Sequence, residues 1–348
     1  FVLDNYPGSD FASEAFRGLK DIAINEGISM SKLLKGIDYA VEASTLDSVT
    51  YLAAERKYTQ AKYPAAIVAF NEYFDQFPKG FFSLPAHFYR GQSYYANYDY
   101  LKALPDYEFV IEAGYNKFTE QALAKAAWIQ YNQQENYEKA GEYYSRLLDV
   151  ATFEENVYAA NLGLMRVNFK QDDLSAVKQF ADRLLAAEEA QPEHITEANF
   201  YLGKVAFEQG KYNTARVQFQ KTADATTNVW GSESLYRLAH IMHLEGEYQA
   251  SLDKAFEVAQ KISHDYWLVS TYLLMAENYV KLNNLFQAKA TLESIIANYE
   301  PNDELKQQAI AKLEELKAEE SKTSRLKDDS DTTELVPDSE TFDINEEE

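Results

Sequence analysis

Two histidines are the first residues to test for chemistry. His240 and His243 stand at i and i+3, a spacing that sets both rings on one face of a helix, where a pair can hold a metal ion. A competent site needs further ligands. No carboxylate or third histidine is placed to complete the set, and the H-E-x-x-H pattern is absent. The pair therefore reads as two polar residues on a groove wall, with no metal. Adjacent carboxylates, Glu188 with Glu189 and Glu319 with Glu320, fall at predicted helix ends, where such pairs are solvated. The chain has no cysteine, which removes disulfides, thiolate metal sites and a cysteine nucleophile together. No G-x-S-x-G, P-loop or G-x-G-x-x-G occurs. The expectation is a protein that is not an enzyme and uses no cofactor.

Bulk properties narrow the partner. A net charge of −23 without any Lys/Arg cluster argues against nucleic acid, since phosphate binding rests on clustered cations that release counterions. No apolar run approaches the ~18–20 residues of a membrane span, so no direct membrane insertion is expected. The composition is 46% hydrophobic and 26% charged, as in ordinary globular chains, yet it holds 26 tyrosines. What positions these aromatics is a repeated element.

Residues 86–113 show the element in full. Phe88, Gly91, Tyr94 and Tyr95 recur at helical spacing, as do Leu101, Leu104, Tyr107, Val110 and Ile111 after a turn at 97–99. This predicts a helical hairpin whose helices cross closely at the small residues Gly91 and Ala103. The same phrase returns along the chain as Tyr63/Ala66, Tyr100/Ala103, Tyr137/Ala140, Leu174/Val177, Tyr212/Ala215, Tyr248/Ser251 and Leu285/Ala288. Steps between the second members are 37, 37, 37, 38, 36 and 37 residues. Four residues on come Phe70, Tyr107, Tyr144, Ala181, Phe219, Ala255 and Leu292, on the same helix face. Such a period means stacked hairpins, each burying its apolar face against its neighbours.

These residues resemble the tetratricopeptide repeat (TPR) family. The match runs through Gly91/Tyr94, Gly203/Ala206 and Ala276/Tyr279 in first helices, then Tyr212, Ala215 and Phe219 in a second, with closing prolines at Pro78 and Pro301. The period exceeds the family's ~34 residues, implying longer helices or connections. The phrases at 6–16 and 76–95 are similar to joints of bacterial cell-envelope TPR proteins, which implies a periplasmic or envelope-associated chain, with the cytoplasm as alternative. The implied fold is an all-α, TPR-like α-solenoid, a right-handed superhelix of helical hairpins.

Its expected organisation is a degenerate N-terminal hairpin over 1–47, seven repeats over 48–300, a capping helix over 301–320 and an acidic disordered tail over 321–348. The degenerate hairpin pairs a helix over 10–23, capped by Ser9 or Asp10, with one over about 29–43. The capping helix carries Leu305, Ala309, Ile310, Leu313 and Leu316 on one stripe. Residues 328–348 hold ten acidic residues and no basic one, with Leu335-Val336-Pro337 and Phe342-x-Ile344 as the apolar anchors. The chain opens within what reads as the tail of an earlier repeat, so an upstream portion is expected.

In a TPR-like stack the first helices line the concave face. Spacing from the small residues assigns to that groove Tyr51, Glu55, Phe88, Gln92, Tyr95, Lys125, Ile129, Arg166, Lys204, Tyr236, His240 and Glu277. The Lys/Asn clamp that some TPR domains use for a terminal carboxylate is not in register here. The implied function is a protein-interaction scaffold holding a peptide or protein segment, with Glu55 and Glu277 selecting a basic partner with apolar anchors. The alternative is a structural spacer or dimerisation module of a larger assembly protein.

Overall fold

The computed structural model describes residues 1–188 and 190–331, so Glu189 and the expected tail from 332 onward, with its apolar anchors, lie outside the described residues. Among the described residues there are eighteen helices and no strand. Three precede the repeats: α1 (Val2–Asn5), α2 (Asp10–Glu26) and α3 (Met30–Leu33). Four hairpins follow: α4 (Ala43–Thr59) with α5 (Tyr63–Gln76), α6 (Ser83–Ala96) with α7 (Tyr100–Glu112), α8 (Thr119–Asn132) with α9 (Tyr137–Val150), and α10 (Glu154–Lys170) with α11 (Leu174–Leu185). Three more are α12 (Pro192–Glu208) with α13 (Tyr212–Ala225), α14 (Val229–Leu244) with α15 (Tyr248–Ala259), and α16 (Asp265–Lys281) with α17 (Leu285–Asn298); α18 (Glu304–Asp331) ends the series. Among the described residues the chain forms two compact units, the first over 1–194 and the second beginning at 195.

Small residues set the hairpins. Ala66, Ala103, Ala140, Val177, Ala215, Ser251 and Ala288 are all fully buried. Opposite them the first helices also lack bulk: a Cβ on Gly91 would stand 3.1 Å from Asp106 and one on Gly203 2.8 Å from the Phe219 ring. Large rings fill the space beside each crossing, with Phe70, Tyr73, Tyr107 and Phe219 sealed from solvent. In both units first helices touch one another across repeats (α4 with α6, α8 with α10, α14 with α16).

The turn inside every hairpin repeats as well. Ala61, Tyr98, Glu135, Asp172, Gly210, Gly246 and Asn283 all have φ between 51° and 82°. The next amide then reaches back to the helix, as Asp99 N to Tyr94 O at 2.9 Å and Glu247 N to Met242 O at 2.9 Å. This is the helix stop in which one left-handed residue lets orphan carbonyls be satisfied. Joints between repeats are tied by buried carboxylates at first-helix starts. Asp47 accepts from Tyr73 Oη at 2.7 Å and from Phe81 N at 2.8 Å; Glu120 accepts from Thr152 N at 3.1 Å and Asn156 Nδ2 at 2.7 Å. Burial pushes Glu120 upward, but the bonds from Thr152 and Asn156 outweigh it and hold the carboxyl below its ordinary range.

The N-terminal segment differs from expectation. Ser9 caps α2, accepting from Ala12 N at 3.2 Å, but the anticipated second helix over 29–43 is only the short α3. The helix stops at Leu33, a turn over 34–36 with Gly36 at φ 81° follows, and Asp38 N is held instead by Asp4 Oδ1 at 2.9 Å. Without a second helix, α2 lies directly on α4, and Ala23, Met30 and Val49 form the shared core. The first repeat helix begins at Ala43, ahead of the expected boundary at 48. At the other end α18 covers α16 and α17 with Leu305, Ala309, Leu313 and Leu316, and its backbone stays helical to Asp331, past the expected limit at 320.

The close crossings yield a stability prediction. Ala103→Phe inserts a ring where no space exists and is expected to cost about 1–3 kcal/mol or more, read as a lower urea midpoint with loosening of the adjoining α8–α9 hairpin. An unchanged midpoint would mean that Ala103 is not at a crossing.

Candidate functional site

In unit 1 the first helices carry half-buried aromatic rings that meet in pairs across repeats. Tyr58 of α4 meets Tyr89 of α6 with ring centres 4.9 Å apart, and Tyr95 of α6 meets Trp128 of α8 at 5.6 Å. Tyr100 closes against both Tyr95 (4.9 Å) and Trp128 (5.0 Å). Lys125 Nζ lies 4.1 Å from the centre of the Tyr95 ring. Gln92 accepts from Tyr107 Oη at 3.0 Å and donates to Gln121 at 3.3 Å, tying α6 to α7 and α8. Burial raises Tyr95 and lowers Lys125 from their ordinary values.

Several residues assigned to the groove are packing residues. Tyr51 is 4% exposed, stacked on Phe82 at 4.7 Å, and donates to Glu55 at 2.7 Å. Phe88, also 4% exposed, stacks on Phe118 at 4.3 Å, and Ile129 is fully buried in the same core. These three fill the seams between successive repeats, so they offer no surface to a ligand. Spacing from the small residues gave Ile129, but its neighbour Trp128 is the half-buried ring, and the turn at 133–136 is one residue longer than that at 97–99. Glu55, Gln92, Tyr95, Lys125 and Arg166 are half-buried on first helices.

Unit 2 has a second wall, and it pairs its own charges. Arg237 stacks over Phe207 (4.7 Å), Tyr236 (5.8 Å) and Trp267 (6.0 Å) while donating to Glu233 at 3.2 Å, and Lys204 meets the same carboxylate at 3.2 Å. Glu277 pairs with Lys312 at 2.7 Å and faces His243 Nε2 at 3.9 Å. Thus neither Glu55 nor Glu277, expected to select a basic partner, projects an uncommitted carboxylate. Burial pushes Tyr236 up to about 12.

The histidine pair divides into two roles. His243 Nδ1 meets Asn278 Oδ1 at 2.7 Å. His240 lies between Phe207 (5.6 Å) and Tyr236 (5.3 Å), and its Nδ1 is buried without a hydrogen-bond partner. Burial, then the nearby Arg237 and His243 charges, push it down to about 4, so the ring is neutral at pH 7. The rings are 6.2 Å apart, and among the described residues no three His, Asp or Glu side chains converge as a metal site.

Sequence reasoning missed a triad built on the buried Asp106 in unit 1. His87 Nδ1 lies 2.6 Å from Asp106, whose two oxygens are taken by Arg90 Nε at 2.9 Å and Nη2 at 2.7 Å. The imidazole is clamped between Phe74 (4.3 Å) and Phe109 (3.9 Å), and Arg90 also reaches Asn71 at 2.8 Å. This arrangement locks adjacent hairpins together. A cleft of about 830 Å³ in unit 2, between α16 and α17, is lined by Tyr272, Thr291, Ser294 and Asn298 and by none of the wall residues.

A tetratricopeptide repeat model matches residues 270–300. The C-terminal part of a TPR repeat-containing protein from Cytophaga hutchinsonii is similar in structure, with TM-score 0.53 and 15% identity over 74% of this chain and 98% of that one. A tetratricopeptide repeat protein from Parabacteroides merdae aligns at TM-score 0.44 and 12% identity, over 76% and 97% of the two chains. The quorum sensor NprR from B. thuringiensis, in its apo form, gives 0.49 and 14%, over 89% and 95%. The sequence matches no curated protein. The fold is thus a TPR-like solenoid, and no helix among the described residues is long and apolar enough to cross a membrane.

The neutral His240 makes a pH prediction. Its folded-state value lies below the ordinary 6.5, so between the two values the unfolded chain binds the extra proton and stability falls as pH drops from about 6.5 to about 4. Above that window the group contributes no pH dependence. His240→Phe removes this part of the acid limb, and urea midpoints compared at the two ends should show the variant losing less than the native chain. Parallel profiles would contradict the assignment.

Proposed function

We propose that this chain is a protein-interaction scaffold that holds a segment of a partner against the first-helix wall of unit 1. The observation that carries the reading is the half-buried ring cluster of Tyr95, Trp128 and Tyr100, with a second pair, Tyr58 and Tyr89, between the preceding first helices. Aromatic side chains fixed by their neighbours supply large contact area with little entropy left to lose, which is how binding hot spots work. The TPR-like fold supports the reading as a scaffold type, while the partner comes from the wall itself. Arg166 is half-buried on α10, a first helix of the same unit.

The spacer reading fits unit 2 better. There Lys204, Tyr236, His240 and Glu277 sit in a wall whose charges are largely matched internally. We place the array in the bacterial cell envelope, on the resemblance of its inter-repeat joints.

The test is selection of linear peptides from a random library on the intact chain, followed by titration of the winners. Tyr95→Ala together with Trp128→Ala should weaken their binding by about 2 kcal/mol or more, with circular dichroism unchanged. Selected peptides that bind the double variant as tightly as the native chain would remove unit 1's wall as the site.

A further inference from the structure

We infer that Lys125 is a recognition residue for an acidic side chain, so that the bound segment carries an Asp or Glu next to an apolar anchor. The inference rests on the scaffold reading and names the chemistry of its partner.

Lys125 is unusual among the wall cations. Arg237 and Lys204 share Glu233, and Lys312 holds Glu277. Lys125 has the Tyr95 ring beneath it at 4.1 Å and, among the described residues, no ion pair or hydrogen bond. Burial alone accounts for its lowered proton affinity, and no carboxylate contributes. An ammonium that is half out of water needs compensation, and the face of a single tyrosine supplies only part of it. A ligand carboxylate would supply the rest, in a setting where water screens the attraction less than at an open surface.

The surroundings fit that ligand. Trp128 and Tyr100 flank Tyr95 and offer an apolar seat beside the charge. The amides of Gln92 and Gln121 lie on the same helices and bond each other at 3.3 Å, a contact that a peptide backbone can replace. The protein as a whole is strongly acidic, with a net charge of −23, so an acidic segment is repelled everywhere except at a local cation. That repulsion makes the Lys125 position selective for a segment that is acidic at one place and apolar beside it.

The experiment is peptide selection with the native chain, Lys125→Met and Lys125→Glu, using one random linear library made with both free and amidated C termini. The native chain should enrich Asp or Glu at a fixed spacing from an aromatic or aliphatic residue. Lys125→Glu should switch that position to Lys or Arg, a change that a merely structural lysine would not produce. Lys125→Met should bind the native winners about tenfold or more weakly and lose the acidic preference. It serves as the second variant if the charge reversal does not fold. Winners that depend on Trp128 but show the same residues for all three chains would overturn this inference and leave the scaffold reading standing. Winners that need a free C terminus would move the carboxylate to the chain end and overturn the assignment to a side chain. No enrichment on the native chain would overturn both.

Discussion

The close crossing of two helices at a small residue is the constraint from which the other features follow. Once Ala66, Ala103, Ala140 and their counterparts admit a partner backbone, the bulky residues must stand to either side of the crossing. On one side they become the seam between repeats, where Tyr51 packs on Phe82 and Phe88 on Phe118. On the first-helix side they become the half-buried rings of the wall. A sequence rich in tyrosine suits this division, because the ring fills the seam while the hydroxyl finds a polar partner, as Tyr73 does at Asp47 and Tyr143 at Glu108.

Much of the fold was legible because the small residues are few, periodic and intolerant of bulk. The seven hairpins and the stripe of the last helix could be read from spacing alone. The turns were less visible. A left-handed residue recurs in every hairpin, yet glycine occupies it only at Gly210 and Gly246, while Tyr98, Glu135 and Asp172 adopt it at a steric cost. The N-terminal helix pair misled because Leu33, Leu34, Ile37 and Val41 keep a helical spacing although the helix ends at Leu33 and a turn containing Gly36 follows. Apolar periodicity shows which residues seek a core and does not show that the chain between them stays helical.

The proposed surface was legible to the level of the helix and not to the residue. Spacing from the small positions gave Gln92, Tyr95 and Lys125, which are half-buried on first helices, but also seam residues such as Phe88, since seam and wall lie within a turn of each other on one helix. The same spacing gave the buried Ile129 in place of its half-buried neighbour Trp128. Charge was harder still. Glu55 and Glu277 look available in a list, whereas in space they are committed to Tyr51 and Lys312. What sequence cannot supply is the pairing of charges across repeats, and pairing separates the self-satisfied wall of unit 2 from the uncompensated lysine of unit 1.

The central claim is that the wall of unit 1 is the surface that binds. The chain's three tryptophans, Trp128, Trp230 and Trp267, divide between the units and make that claim directly measurable. With fluorinated tryptophan incorporated throughout, a saturating selected peptide should shift the fluorine resonance of Trp128 and leave those of Trp230 and Trp267 in place. Saturation with Trp128 unmoved, or with Trp267 moving in its stead, would contradict the account.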